Sequence, residues 1–268
     1  MGFDRRAAAS FLDEGVARAY RHRPPYAPAA IDHVCSLAPR RGRALDLGCG
    51  PGKLAHLLIG AFEAVDAVDP SAAMLAVAQE TSSEVQWIHA TGEEAPLTGP
   101  YDLVTAGESI HWMEASRMFP RLVDLMAPDA MLACFDGSSA HEPPWQDAWM
   151  DVIKRWLAAR GTPFDPHYMT HVYAFRDWMD VVGQASFTHE HEQPVEEFLE
   201  KEFSRATWSR AKLGADAARF AEDLHNVVAP YAVEGRLRYP VETSVLWGRP
   251  RRDAHGRGST SSVGAGGS

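Results

Sequence analysis

Three glycines at alternate positions, Gly48, Gly50 and Gly52, follow a short apolar run from Ala44 to Leu47. They precede a helical pattern with Leu54, Leu57 and Leu58 on one face. Glycines in such a turn take positive φ and let a ligand reach the main chain. The helix start behind them points unpaired N–H groups back at that ligand. A second signal is acidic: Ala64 to Asp69 reads as the next strand, with Asp69 at its carboxyl end. In a doubly wound sheet that carboxylate stands beside the glycine turn, placed to accept hydrogen bonds from ribose hydroxyls. The dinucleotide fingerprint needs Gly or Ala three positions after its second glycine, where this chain has Lys53. A nucleoside without phosphates therefore fits better than NAD or FAD.

Groups able to move a proton cluster where further strands should end. Tyr101 to Ala106 reads as a fourth strand, followed by Gly107-Glu108-Ser109-Ile110-His111-Trp112. Ligands of open α/β sheets lie outside the carboxyl ends of the strands, so Glu108 and His111 are candidate bases. His141, just after the fifth strand at Ala130–Phe135, is a third candidate. The alternative for His111 is a structural histidine bonded to backbone beside a packed Trp112. No His/Cys/Asp/Glu set has metal-ligand spacing, so no catalytic metal is expected.

The elements that must hold these groups alternate between strand and helix. An N-terminal helix is expected with Phe11, Val16 and Tyr20 on one face, ending at Arg23-Pro24-Pro25-Tyr26. A helix from Ile31 to Leu37 leads to Arg40, Arg41 and Arg43, a solvated strand entry. Ser71 can cap a helix to about Glu80; Val85–His89 alternates as the third strand. Arg117–Met126 reads as a helix that Pro120 should bend or confine to its first turn. Trp145, Trp149, Val152, Ile153 and Trp156 recur at helical spacing between Pro144 and Arg160. With His167, Tyr168, His171 and Tyr173 nearby, they form a core or an apolar substrate chamber. Phe187–His191 is a weak sixth strand, Glu196–Lys212 and Ala215–Val228 are helices, and Leu237–Trp247 is the last strand. The Gly/Ser-rich tail buries too little to offset ordering.

The chain has 268 residues, 46% of them hydrophobic, enough for one large domain or a domain with a cap. A net charge of −10 argues against tracking a nucleic-acid backbone. Cys35, Cys49 and Cys134 show no disulfide framework, and no leader or membrane-length apolar run is seen. A cytoplasmic protein, monomer or homodimer, without nucleic-acid or membrane partners is expected.

Leu45-Asp46-Leu47-Gly48-Cys49-Gly50-Pro51-Gly52 resembles the first motif of class I S-adenosylmethionine (SAM)-dependent methyltransferases. Ala67-Val68-Asp69-Pro70-Ser71 through Met74-Leu75 resembles their second. The likeness, to the group called methyltransferase type 11, covers roughly residues 15 to 135. It implies a Rossmann-like seven-stranded sheet with the last strand antiparallel, inserted between the fifth and sixth, and a helical cap. The expected division is a lid helix over 1–30, a SAM-binding core over 31–136 and a cap with strand six over 137–235. The last strand over 236–249 and a disordered tail over 250–268 complete it. It also implies that Asp46, Gly48, Cys49, Gly50, Asp69, Gly92, Glu93 and Gly107 surround SAM, with Pro70 and Met74 against adenine. Tyr20 and Arg23 would line the methionine end, Arg23 pairing with its carboxylate. Thr91 stands where the family has an Asp that accepts from the adenine amino group. His111-Trp112 matches a pair common in the family. The expected reaction is methyl transfer to O, N or C of a small metabolite, aromatic or carboxylate-bearing. The alternatives are a tRNA or rRNA methyltransferase, and a SAM binder that transfers nothing.

Overall fold

The structure is a computed structural model that describes residues 9–137, 139–161 and 173–254. His167, Tyr168, His171 and the tail from 255 lie outside the described residues. One seven-stranded sheet organises the molecule. In chain order its strands are β1 (Arg43–Leu47), β2 (Ala64–Asp69), β3 (Val85–His89), β4 (Tyr101–Gly107), β5 (Met126–Asp136), β6 (Met179–Pro194) and β7 (Arg236–Pro250). The spatial order is β3-β2-β1-β4-β5-β7-β6. The first five run parallel, and β7 lies antiparallel between β5 and β6. Apolar runs without alternation become β1, β2 and β4, almost wholly buried, because helices cover both faces of a parallel sheet.

The helices are α1 (Glu14–Tyr20), α2 (Pro28–Ser36), α3 (Ala55–Leu58), α4 (Ala72–Gln79), α5 (Ala115–Leu125) and α6 (Gln146–Ala159). After β6 come α7 (Val195–Glu200), α8 (Arg210–Leu213) and α9 (Ala217–Val228). Ser71 caps α4, its side chain accepting from the Met74 amide. Helix α5 begins at Ala115, so Pro120 lies past its first turn. None of the helices among the described residues is long and apolar enough to cross a membrane.

Three local expectations change. Strand β6 extends far beyond Phe187–His191, because pairing with β7 along its length replaces the weak strand propensity of Gly183-Gln184-Ala185-Ser186. The stretch from Glu196 to Lys212 is not one helix. Phe198, Phe203, Trp208 and Leu213 all enter one cap core, and residues spaced by five drift about 140° around a helix at each step. The chain therefore breaks at a 3-10 turn, Lys201–Ser204. The strand-entry arginines are not simply solvated: Arg43 pairs with Asp66 at 2.6 Å and Arg40 with Asp102 at 3.1 Å.

Candidate functional site

The glycine turn is set from behind and from the side. Gly48 and Gly50 have φ of 63° and 53°, the left-handed region. A Cβ on Gly48 would stand 2.5 Å from the Ser109 Cβ, whereas one on Gly50 would meet nothing within 4 Å. Asp69 Oδ2 accepts from the Gly50 amide and Oδ1 from the Ser71 amide, each at 2.8 Å. Burial pushes the Asp69 carboxyl up, against these two amide donors, which favour its charge.

Asp46 does not belong to the lining of the cavity described below. It is buried under the turn, one oxygen accepting from Ala55 N at 3.1 Å and the other from the Thr105 hydroxyl at 2.8 Å. Its carboxylate closes the N-terminal end of α3. Cys49 turns inward likewise; it is buried, with its amide bonded to Val68 O.

A cavity of about 360 Å³ opens above the carboxyl ends of β1, β2 and β4, within the range of small-molecule sites. Of the residues singled out in the sequence, Tyr20, Gly48, Gly50, Asp69, Pro70, Met74, Thr91, Gly92, Glu93, Gly107 and Glu108 line it. Strand order gives its axis: the loop after β3 (Thr91–Glu94) at one end, Asp69 and the glycine turn in the middle, Gly107, Glu108 and Tyr20 at the other. Among the described residues its charged lining is Asp69, Glu93, Glu94 and Glu108 against Arg117. Arg117 in turn faces Glu94 at 3.6 Å and Glu114 at 3.9 Å. Glu93 also holds α5, accepting from the Glu114 amide at 2.7 Å.

Arg23, His111 and His141 do not line this cavity. The Arg23 guanidinium packs on the Tyr20 ring, 4.0 Å from its centroid. It donates through Nε to Ser204 Oγ at 2.8 Å and lies 3.7 Å from Glu108. It is thereby committed to protein groups instead of standing open to a ligand carboxylate. Glu108 has φ of 50°, a strained conformation for a residue with a side chain, directly after β4. His111 packs against Trp112, and burial lowers its pKa to about 4, with Glu108 pulling the other way. A ring so disposed is neutral at physiological pH and a weak base. His141 is partly exposed, 3.9 Å from Glu242 on β7. Trp145, Trp149 and Trp156 pack in the cap core with Phe198, Phe220 and Tyr239.

Residues 44–129 match the family model described as a methyltransferase domain. A solved structure, a putative type II methyltransferase from Anaeromyxobacter dehalogenans, is 27% identical with a TM-score of 0.69. The match covers 86% of this chain and 99% of that one. The chain carries a class I SAM-dependent methyltransferase domain. A probable S-adenosylmethionine-dependent methyltransferase of Saccharomyces cerevisiae, CRG1, is 28% identical over 46% of each protein. Trans-aconitate 2-methyltransferase of Variovorax paradoxus is 33% identical over 39% of this chain and 42% of its own. The chain thus spans about half the length, or less, of these curated relatives.

The cofactor of such a domain fits this lining on chemical grounds. A phosphate-free nucleoside needs a hydroxyl acceptor and an unobstructed backbone, which Asp69 and Gly50 provide. A pyrophosphate would need donors and cations where the methyltransferase domain presents four carboxylates. Sequence reasoning missed Phe11, Leu12, Ser109, Trp112 and Met113 as cavity residues. Phe11 belongs to a 3-10 turn, Ala9–Leu12, whose Phe11 carbonyl accepts from Ser71 Oγ at 2.7 Å. Its ring sits edge-on to Tyr20 and Trp112. The one available signal was its place on the apolar stripe with Tyr20.

Proposed function

We propose that this protein transfers the methyl group of SAM to a small-molecule acceptor by in-line displacement. The observation that carries the reading is the anionic, phosphate-hostile cavity, with Asp69 beside an open Gly50. It suits a nucleoside bearing a sulfonium cation. When bound, SAM supplies a methyl group already attached to a good leaving group, so positioning can account for most of the acceleration. In this reading Asp69 holds the ribose hydroxyls and the glycine turn admits the amino-acid portion. Thr91, Gly92, Pro70 and Met74 enclose the adenine. Glu108 places negative charge at the β4 end of the cavity, where cationic sulfur is favoured over neutral sulfur. A proton lost by the acceptor has Glu108 as the carboxylate at the β4 end of the cavity.

The small-molecule acceptor is supported by the acidic charge of the chain and by the likeness to a trans-aconitate methyltransferase. Pure protein incubated with methyl-labelled SAM and either fractionated metabolite extract or total RNA tests the reading. Label in a small-molecule fraction is expected. Label in RNA overturns the acceptor class, and no label in either overturns transfer.

A further inference from the structure

The cap reaches the cofactor cavity through one turn. In Lys201–Ser204, Ser204 is fully buried; its hydroxyl accepts from Arg23 Nε at 2.8 Å and donates to the Lys201 carbonyl at 2.5 Å. Its own carbonyl accepts from Arg23 Nη2 at 3.3 Å. Two acceptors of one residue thus fix the plane of the guanidinium. That plane lies on the Tyr20 ring, and Tyr20 lines the cavity at its β4 end. The turn is rigidly built: Glu202, buried, is held between Lys201 and Arg205, the latter at 2.8 Å. Arg205 also donates to Ser139 Oγ at 2.8 Å, in the loop after β5.

We propose that Ser204 is a positioning residue for the amino-acid end of the cofactor, acting from the cap through Arg23 and Tyr20. The inference rests on the SAM-binding reading. It assigns to a buried serine in the cap, about 180 residues from Arg23 in sequence, the orientation of a cavity wall in the core. With the hydroxyl gone, Arg23 keeps the carbonyl contact and the Glu108 pairing but loses the bond that sets its tilt. Tyr20 then loses its support. Thr91 and Gly92, in the loop after β3 at the other end of the cavity, should respond least, although Met74 packs in the same cluster as Tyr20.

Calorimetry with two ligands tests this. S-adenosylhomocysteine carries the amino-acid portion; 5′-methylthioadenosine lacks it. Ser204→Ala should weaken S-adenosylhomocysteine about tenfold, the loss expected for one hydrogen bond to a charged group. Binding of 5′-methylthioadenosine should stay within twofold. Arg23→Gln, which leaves Ser204 intact, should reproduce the selective loss. In the Arg23→Gln background, Ser204→Ala should add less than twofold, since coupled residues are not additive. Equal weakening of both ligands, or an independent loss in the double variant, would overturn the proposal and make Ser204 merely structural. If Ser204→Ala does not fold, Arg23→Gln alone decides between the selective and the uniform loss. Wild-type protein that binds neither ligand would instead overturn the SAM reading, and this inference with it.

Discussion

Asp69 Oδ2 accepts a hydrogen bond from the Gly50 amide at 2.8 Å, so the carboxylate of β2 and the glycine turn after β1 form one unit. Its other oxygen is engaged by Ser71 N, yet each oxygen keeps a lone pair for a ligand hydroxyl. Asp69→Ala should therefore cost on two counts, the lost ligand bonds and a loosened turn. A loss of about 1.5–3 kcal/mol in S-adenosylhomocysteine affinity is expected, at the level of hydrogen bonds to a charged acceptor. Calorimetry with unchanged affinity would remove Asp69 from the site.

The two first glycines should fail differently. Gly48→Ala puts a Cβ 2.5 Å from Ser109 Cβ at a φ of 63°. Strain of about 1–2 kcal/mol for the backbone alone is joined by the clash, so folding stability should fall. Gly50→Ala meets open space. The fold should lose only the backbone strain, while the new methyl group occupies the cavity and cofactor affinity drops. Thermal melts paired with binding isotherms separate the two; equal stability losses would contradict this geometry.

These contrasts also show what could be read from the chain and what could not. Gly48, Gly50 and Asp69 were legible because turn chemistry and a strand-end carboxylate are local properties. The succession of β1 to β5 along the chain was legible in alternating helix and strand patterns, and Leu237–Trp247 was read as the last strand. The partners of Asp46 were not legible because motif position says nothing of direction: its side chain points under the turn, to Ala55 and Thr105. That Arg23 would bond Ser204 was not legible either, since Ser204 sits in the cap and no local pattern links them. Strand β6 was mostly invisible, its residues 183–186 being held by β7 and not by their own propensity.

Asp46 should leave a mark on the pH dependence of stability. Burial raises its pKa to about 7, while the Thr105 and Ala55 bonds oppose the shift. Between the ordinary carboxylate value near 4 and about 7, the native state holds a proton that the unfolded chain has released. Stability from this group is full below that window and is lost as pH rises through it. Asp46→Asn can accept from Ala55 N and donate to the Thr105 oxygen, freeing that hydroxyl to turn to the Leu45 carbonyl. The variant should fold and show a flatter denaturation midpoint from pH 4 to 7. An unaltered slope would show that Asp46 titrates normally.

Lys53 acts in the adjoining window with the opposite sign. Its ammonium donates to the Pro24 carbonyl at 2.5 Å and faces the Tyr26 ring at 4.6 Å. Burial lowers its pKa to about 7, against the pull of Glu108. From about 7 to the ordinary lysine value above 10, the unfolded chain binds a proton that the native state lacks, so stability rises with pH. Lys53→Met should abolish that rise while leaving the slope below pH 7 intact. Urea midpoints measured at pH 7 and 9 suffice; a rise surviving in the variant would assign it to another group.

His111 provides the sharpest test of whether the site relies on a base or on placement. Its ring is half-buried beside Trp112, and its pKa is lowered to about 4 by desolvation, with Glu108 favouring the proton. An imidazolium that acidic means a ring always unprotonated at neutral pH but with little driving force to take a proton from an acceptor hydroxyl. Titration of its ring proton by NMR should show a midpoint below 5, well under the usual histidine value. Glu108→Gln should lower that midpoint further, because it removes a neighbouring charge that supports the proton. A midpoint near 6.5 would restore His111 as an effective base, and a rise in the Glu108→Gln variant would show that the two groups do not face each other as described.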